Sequence, residues 1–526
     1  YRKELTTPAG KLLDQTRDGM DELASLFLPK REQGSKSILY DFIILILLLI
    51  SAWGILWAAT LFIRNLGTIF SAWDAVVSWN RWATVWAAGR IPTDTHFYPQ
   101  LIPANWSITY MLLGNTTLQF FAKSVMPLFT LMIFLGFFNL VLITKKYYFL
   151  VSIVLLQPLL NRLLETGLTN GYPDTAVAFF AFASLYMLLK AQVTSEPGER
   201  SQLYLLGALF SMGAALTKQT GVYIALCYPV LVAAEIFFSK QPVGKKMIQT
   251  WIAVFAGISL VWISWYLYSV MAGTGSEVFD TYISISADKY DNLPALERIT
   301  TAIGQHREFV VLFLLIAVTF PWMNRFYKTL TLLFAPYPLL WAWVASYDTR
   351  NLAIFLPVLA LLAGYSIDNW IGKLAVLGEK RNILQVPVYV PVAVLGVGLL
   401  GLSFMISPQS LSQRQVDLQR QIFSPSKNQM LLDLVRENGP QTRVLTNYPM
   451  SYIPGLEQYQ VRFNFQDYDL FLSHLENPQI EYLLVPNAID KKIADYIDNQ
   501  VNAGNFEILS RDKQWKVFTL LKILKR

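Results

Sequence analysis

Eleven apolar stretches, most of them near the ~20 residues needed to cross a bilayer's hydrocarbon core, constrain this chain more than any motif does. They lie near residues 39–63, 124–144, 147–167, 173–190, 203–217, 221–239, 248–271, 308–323, 329–346, 351–368 and 386–406. The fold expected from them is a polytopic α-helical membrane protein with about 11 spans, those at 203–217 and 308–323 being the shortest. Only 15% of the 526 residues are charged, against about 25% in soluble domains. The formal charge of +7 comes from basic residues at the ends of apolar runs. It therefore reports topology rather than nucleic-acid binding. The single cysteine, Cys227, excludes an intramolecular disulfide. Because a polar segment precedes the first run, no cleavable signal peptide is expected.

Lysine and arginine set the orientation. Arg2, Lys3, Lys11, Arg17, Lys30, Arg31 and Lys36 precede the first run. With that end cytoplasmic, alternating spans put Lys145-Lys146, Lys190 with Arg200, Lys240 with Lys245-Lys246, Arg325 with Lys328, and Lys373 with Lys380-Arg381 on the same side. This is a positive-inside pattern, expected of a bacterial inner or plasma membrane protein. A further apolar segment, 101–122, carries Asn105, Ser107, Asn115 and Gln119. It reads as a re-entrant or surface helix, since a full span there would invert every later loop. The expected organisation is a cytoplasmic segment at 1–38, a membrane domain at 39–407 with a long first outer loop at 64–123, and an extracytoplasmic α/β domain at 408–526. In that last region periodicity predicts helices at 426–438, near 467–475 and near 488–502, strands at 443–446 and 481–485, and a hairpin at 506–523.

The residues suited to chemistry fall in loops that share the extracytoplasmic face. Asp74, within Trp73-Asp74 and near Trp79, Arg81 and Trp82, is a candidate general base for removing a proton from an acceptor hydroxyl. The plainer reading is an interfacial helix anchored by tryptophan, with Asp74 solvated. Asp174, in Gly171-Tyr172-Pro173-Asp174, is either a helix cap or a substrate ligand. Lys218 interrupts an apolar hairpin, and Arg350 follows Tyr347-Asp348-Thr349. Both suit phosphate oxygens, although snorkelling to water would also satisfy them. His96 and His306, with Asp174, Asp288 or Glu308, are candidate ligands for a divalent metal, surface histidines being the simpler account.

The order of these loops resembles the GT-C superfamily of polyprenyl-phosphate-dependent glycosyltransferases, among them aminoarabinose transferases and protein mannosyltransferases. The matching segments are Trp73-Asp74, Tyr98-Pro99-Gln100-Leu101, Gly171-Tyr172-Pro173-Asp174, Leu216-Thr217-Lys218-Gln219-Thr220-Gly221 and Tyr347-Asp348-Thr349-Arg350-Asn351, the last running on to Pro357. The chain departs from the pattern at Gln100, where proline is usual, and at Asn351, where tyrosine is usual. It also has no acidic residue just before Tyr98, where aminoarabinose transferases place a metal-binding glutamate.

The resemblance implies an inverting glycosyltransferase that moves a sugar from a polyprenyl-phosphate carrier to a glycan, lipid or protein acceptor. Asp74 would be the base, with Lys218 and Arg350 on the carrier phosphate. Asp174 and Arg81 would contact substrate, and Trp79, Trp82 and Tyr98 would line its entrance. Two other classes fit a polytopic chain, a flippase for lipid-linked glycans and a non-catalytic scaffold for envelope assembly. Charges buried mid-span in repeated halves would mark the first. Dispersal of Asp74, Asp174, Lys218 and Arg350 would mark the second.

Overall fold

The structure is a computed structural model. It describes residues 38–378 and 426–524, apart from positions 67, 71, 73, 93–94, 96, 117, 239–243, 272–277, 449, 451–455, 457–458, 464, 487–488 and 512–517. Among the described residues six helical segments are long and apolar enough to cross a membrane: Leu45–Asn65, Phe121–Thr144, Asp174–Val193, Gln219–Phe237, Lys245–Met271 and Thr349–Trp370. A bent pair, Ala295–Gly304 with Phe309–Trp322, makes a seventh if it is one span. This is an integral membrane protein. The apolar stretch at 386–406, the segment 1–37 and the boundary near 407 lie outside the described residues.

Several of the expected spans take a different form. The stretch at 147–167 becomes a 17-residue helix, Tyr148–Leu164, and the one at 203–217 lengthens to Pro197–Thr217. The stretch at 329–346 divides into helices Arg325–Phe334 and Tyr337–Val344; Pro336 lies between them and has no backbone N–H to continue the helical hydrogen-bond ladder. The polar segment at 101–122 begins as a 13-residue helix, Leu101–Leu113, ended by Gly114 at φ 61°. At 1.5 Å per residue that helix is about 20 Å long, too short for a core about 30 Å thick.

The helices enclose one large apolar core that includes Phe134, Phe137, Leu156, Phe182, Tyr228 and Leu359. A smaller core holds the first loop together around Phe70, Trp79, Trp82, Trp106 and Tyr110. Tyr110 donates its hydroxyl to Asn80 inside it.

The C-terminal part is an α/β sheet domain. Its strands are β1 (Val444–Thr446), β2 (Gln460–Arg462), β3 (Tyr482–Pro486), β4 (Phe506–Arg511) and β5 (Phe518–Ile523). They run in the order β2-β1-β3-β5-β4, with β1 parallel to β2 and β3, and β5 antiparallel to β3 and β4. Alternate residues feed opposite faces, as strand geometry requires. Val444, Tyr482, Leu484 and Leu520 meet Leu431 and Leu434 of the Ser426–Asn438 helix. Leu445, Leu483, Val485 and Leu521 meet Phe471, Ile493 and Ile497 of the helices Tyr468–Leu475 and Lys491–Asn502.

Candidate functional site

Four residues far apart in sequence meet where helices begin or end at one side of the bundle. Asp74 immediately precedes the π-helical turn Ala75–Asn80. Asp174 starts the Asp174–Val193 helix, where a carboxylate also suits the positive end of the helix dipole. Lys218 stands just past the Pro197–Thr217 helix with extended backbone, φ −154° and ψ 152°. Arg350 lies in the 3-10 turn Thr349–Phe355 that leads into the next helix.

Local packing explains why the loops adopt these shapes. Gly171 has φ 85°, and a Cβ there would fall 2.3 Å from the Phe70 ring. Only glycine lets the Tyr172-Pro173-Asp174 turn lie against the first loop. After Lys218 the chain re-enters helix through the turn Gln219–Gly221. Gly221 packs so tightly on the Ala214 carbonyl that any side chain would overlap it.

The charges are arranged as linked pairs. Lys218 Nζ lies 2.6 Å from Asp174 Oδ1, with the residues 7% and 1% exposed. Arg350 Nη2 reaches Asp74 Oδ2 at 3.0 Å. The same guanidinium donates from Nε to Asp348 Oδ2 at 2.7 Å, while the Arg350 backbone N–H donates to Asp348 Oδ1 at 2.9 Å. The Tyr172 ring covers the guanidinium, 3.9 Å from its carbon to the ring centroid. Burial opposes ionisation of Asp348, but Arg350 and Lys218 outweigh it and hold that carboxyl below its ordinary value. The Tyr172 hydroxyl is pushed up by burial; Arg350 opposes the shift, and Asp74, Asp174 and Asp348 add to it. Three carboxylates and two cations therefore share one electrostatic neighbourhood.

A cavity of about 500 Å³ opens beside them. Lys218 and Asn351 are in its wall, and Tyr98, Tyr223, Leu226 and Trp341 supply much of its aromatic and apolar lining. Tyr98 is held there by its ring contacts with Trp79 and Trp82, centroids 5.1 and 6.0 Å away. Gln100 ties this wall down by accepting from Trp86 Nε1 and donating to the Tyr98 carbonyl. That gives a local reason for glutamine where proline is usual.

Some of the expected site residues are placed differently. Trp79 and Trp82 are 4% and 3% exposed and belong to the core of the first loop. They support Tyr98 from behind rather than lining an entrance. Arg81 opens the Arg81–Ala87 helix and is half-buried. His306 packs between Phe309 and Trp341. His96 and Trp73 lie outside the described residues. Among the described residues no group of three His, Cys, Asp or Glu side chains is placed to hold a metal ion. The three carboxylates at the site face Lys218 and Arg350 instead.

Sequence reasoning gave no role to Asp348 or Tyr172. The signal for Asp348 is an aspartate two residues before Arg350 in the sequence, a position that suits a helix cap as well.

Comparison with solved structures finds the same fold in ArnT from Cupriavidus metallidurans. Its structure bound to undecaprenyl phosphate is 13% identical to this chain, with a TM-score of 0.55 over 90% of this chain and 97% of that one. Its apo structure is also 13% identical, with a TM-score of 0.53 over 90% and 98%. The oligosaccharyltransferase of Archaeoglobus fulgidus, in complex with Zn and sulfate, is 11% identical, with a TM-score of 0.45 over 83% and 68%. No protein-family model and no curated protein sequence matches the chain. The likeness to ArnT shows the fold.

Proposed function

We propose that this protein is a membrane glycosyltransferase that takes a sugar from a polyprenyl-phosphate carrier and passes it, with inversion, to an acceptor hydroxyl outside the cytoplasm. The observation that carries the reading is the junction of an apolar cavity with a charged cluster. Lys218 stands in the cavity wall, and Arg350, beside it, is paired with Asp74 at 3.0 Å. An isoprenoid tail suits the aromatic lining, and a phosphate at its end suits the two cations. The neighbour ArnT, bound to undecaprenyl phosphate, supports the same class of carrier.

In this mechanism the acceptor oxygen attacks the anomeric carbon while the bond from that carbon to the phosphate oxygen breaks. Asp74, 44% exposed at its side chain, takes the acceptor's proton. Arg350 and Lys218 stabilise the departing polyprenyl phosphate. Asp174 keeps Lys218 in place. The N-terminus is cytoplasmic in this reading, and the sheet domain lies on the same side as the site, covering it or selecting the glycan, lipid or protein acceptor. The membrane is a bacterial inner or plasma membrane.

The test is binding of undecaprenyl phosphate to the purified chain in nanodiscs, with and without Arg350→Ala. A charge-assisted phosphate contact is worth about 1.5–3 kcal/mol, so affinity should fall by about tenfold to a hundredfold. Equal affinity in the two proteins would refute the carrier site. Cysteines at positions 36 and 430 should label from opposite sides of sealed cells, and labelling from one side would refute the orientation.

A further inference from the structure

Resting on the carrier reading above, we infer that Asp348 is a positioning residue that turns Arg350 into a phosphate donor with one open edge. Its carboxylate holds Arg350 twice. Oδ1 accepts the backbone N–H at 2.9 Å and Oδ2 accepts Nε at 2.7 Å, with Nη2 also in contact with Oδ2. Nη2 further donates to Asp74 at 3.0 Å, and the Tyr172 ring closes one face of the guanidinium at 3.9 Å. A guanidinium has five N–H donors in a fixed fork. The Nε side and Nη2 are engaged, and among the described residues no partner engages Nη1, so its two N–H groups are the set left for an incoming phosphate.

Asp348 can do this because its own backbone is fixed. Its carbonyl accepts from Trp341 Nε1 at 3.0 Å. The residues just before it are clamped from the Val278–Lys289 helix. Lys289 Nζ donates to the Ser346 carbonyl at 2.8 Å, and Ser286 donates to the Val344 carbonyl at 2.8 Å. An arginine of this length held only by Asp74 would keep much of its rotamer freedom, and phosphate binding would have to freeze it. Asp348 does that before the carrier arrives. A carboxylate that merely competed with phosphate for Arg350 would act in the opposite direction, which makes the two roles separable.

The experiment compares Asp348→Asn and Asp348→Ser in the full chain in nanodiscs. Asparagine and serine both serve well as N-caps, so the turn at Thr349 is kept while the grip on the guanidinium is lost. The probes are undecaprenyl phosphate and undecaprenol, which share a tail and differ in the phosphate. Both variants should bind undecaprenyl phosphate about tenfold more weakly and undecaprenol as the wild type does. Equal or tighter phosphate binding in both variants, with Arg350→Ala still weakened, overturns the positioning role and leaves the carrier site standing. Loss of both ligands together shows a general structural effect and also overturns it. Wild-type affinity in Arg350→Ala overturns the carrier site and this inference with it.

Discussion

In the sheet domain Asp467 opens a helix by accepting the Leu470 backbone N–H at 3.0 Å, and its side chain is exposed. At the membrane-side cluster Asp348 makes the same kind of cap, accepting from Arg350 at 2.9 Å, but its second oxygen holds a guanidinium. The local sequence signal is the same in both places. The difference is the surroundings, water in one and a set of ion pairs beside an apolar cavity in the other. Charge in the sheet domain shapes helix ends. Charge in the membrane domain is gathered, paired and partly buried, an arrangement suited to a ligand with charge of its own.

The sharpest way to break that contrast is at Asp74. Asp74→Asn keeps the shape of the side chain and a hydrogen-bonding oxygen for Arg350 while removing the base. Transfer of sugar from a polyprenyl-phosphate donor should fall by about 10²–10⁴-fold, with undecaprenyl phosphate affinity close to wild type. Retained turnover would remove Asp74 from the chemistry and leave it as a partner of Arg350. Asp94, a natural control by sequence, lies outside the described residues and should tolerate Asn with most activity kept.

The buried pair gives the next effect in size. Asp174 is 1% exposed and has its Lys218 partner 2.6 Å away. Removing one member of such a pair strands the other without water, at a cost of about 3–5 kcal/mol. Lys218→Met should therefore destabilise the membrane domain in a denaturation series followed by tryptophan fluorescence. Adding Asp174→Asn should recover most of the loss. A Lys218→Met protein as stable as wild type would mean that the amine is solvated and free to snorkel.

How much was legible in advance follows the same divide. In the sheet domain the Ser426–Asn438 helix falls on the residues that periodicity marks, because its pattern is set by its own neighbours. Strand β2 was missed: Gln460–Arg462 is three residues long and is fixed by pairing with β1 rather than by alternation. In the membrane domain the apolar runs and the motif residues Asp74, Asp174, Lys218 and Arg350 could be read directly. Their pairing could not. Nothing local tells Lys218 to choose Asp174, 44 positions away, or Arg350 to reach Asp74 across 276 positions. Trp79 and Trp82 differ from expectation for a related reason. The resemblance implies that they line the substrate entrance, yet the first loop folds back on them to build a core of its own.

Acid should reveal Asp348 through its ionisation. Its carboxyl is held below the ordinary value because Arg350 and Lys218 outweigh burial; Lys289 and Tyr172 also feel its charge. A carboxylate with a lowered folded-state pKa contributes stability that is fully present above its unfolded value, about 3.9. That contribution is lost as pH falls from there through the lower folded value. Melting of the wild type should therefore steepen with acid in that window, and Asp348→Asn should lack that share of the slope. Parallel curves for the two proteins would mean that the carboxylate and guanidinium are not coupled in solution.

The smallest effect tests the other side of the comparison. Asp467→Ala removes the cap on the Tyr468–Leu475 helix and should cost about 1 kcal/mol of sheet-domain stability. Helix packing through Phe471, which is fully buried, should hold the fold together without it. Undecaprenyl phosphate affinity should not change, since an exposed cap in this domain binds no cation of the cluster. Asp348→Ala loses a cap of the same kind, so its stability change should include a similar cost, but its phosphate affinity should fall as well. If Asp467→Ala weakened carrier binding by as much as Asp348→Ala, capping alone would explain both, and the distinction between a helix cap in water and a cap that holds Arg350 would disappear.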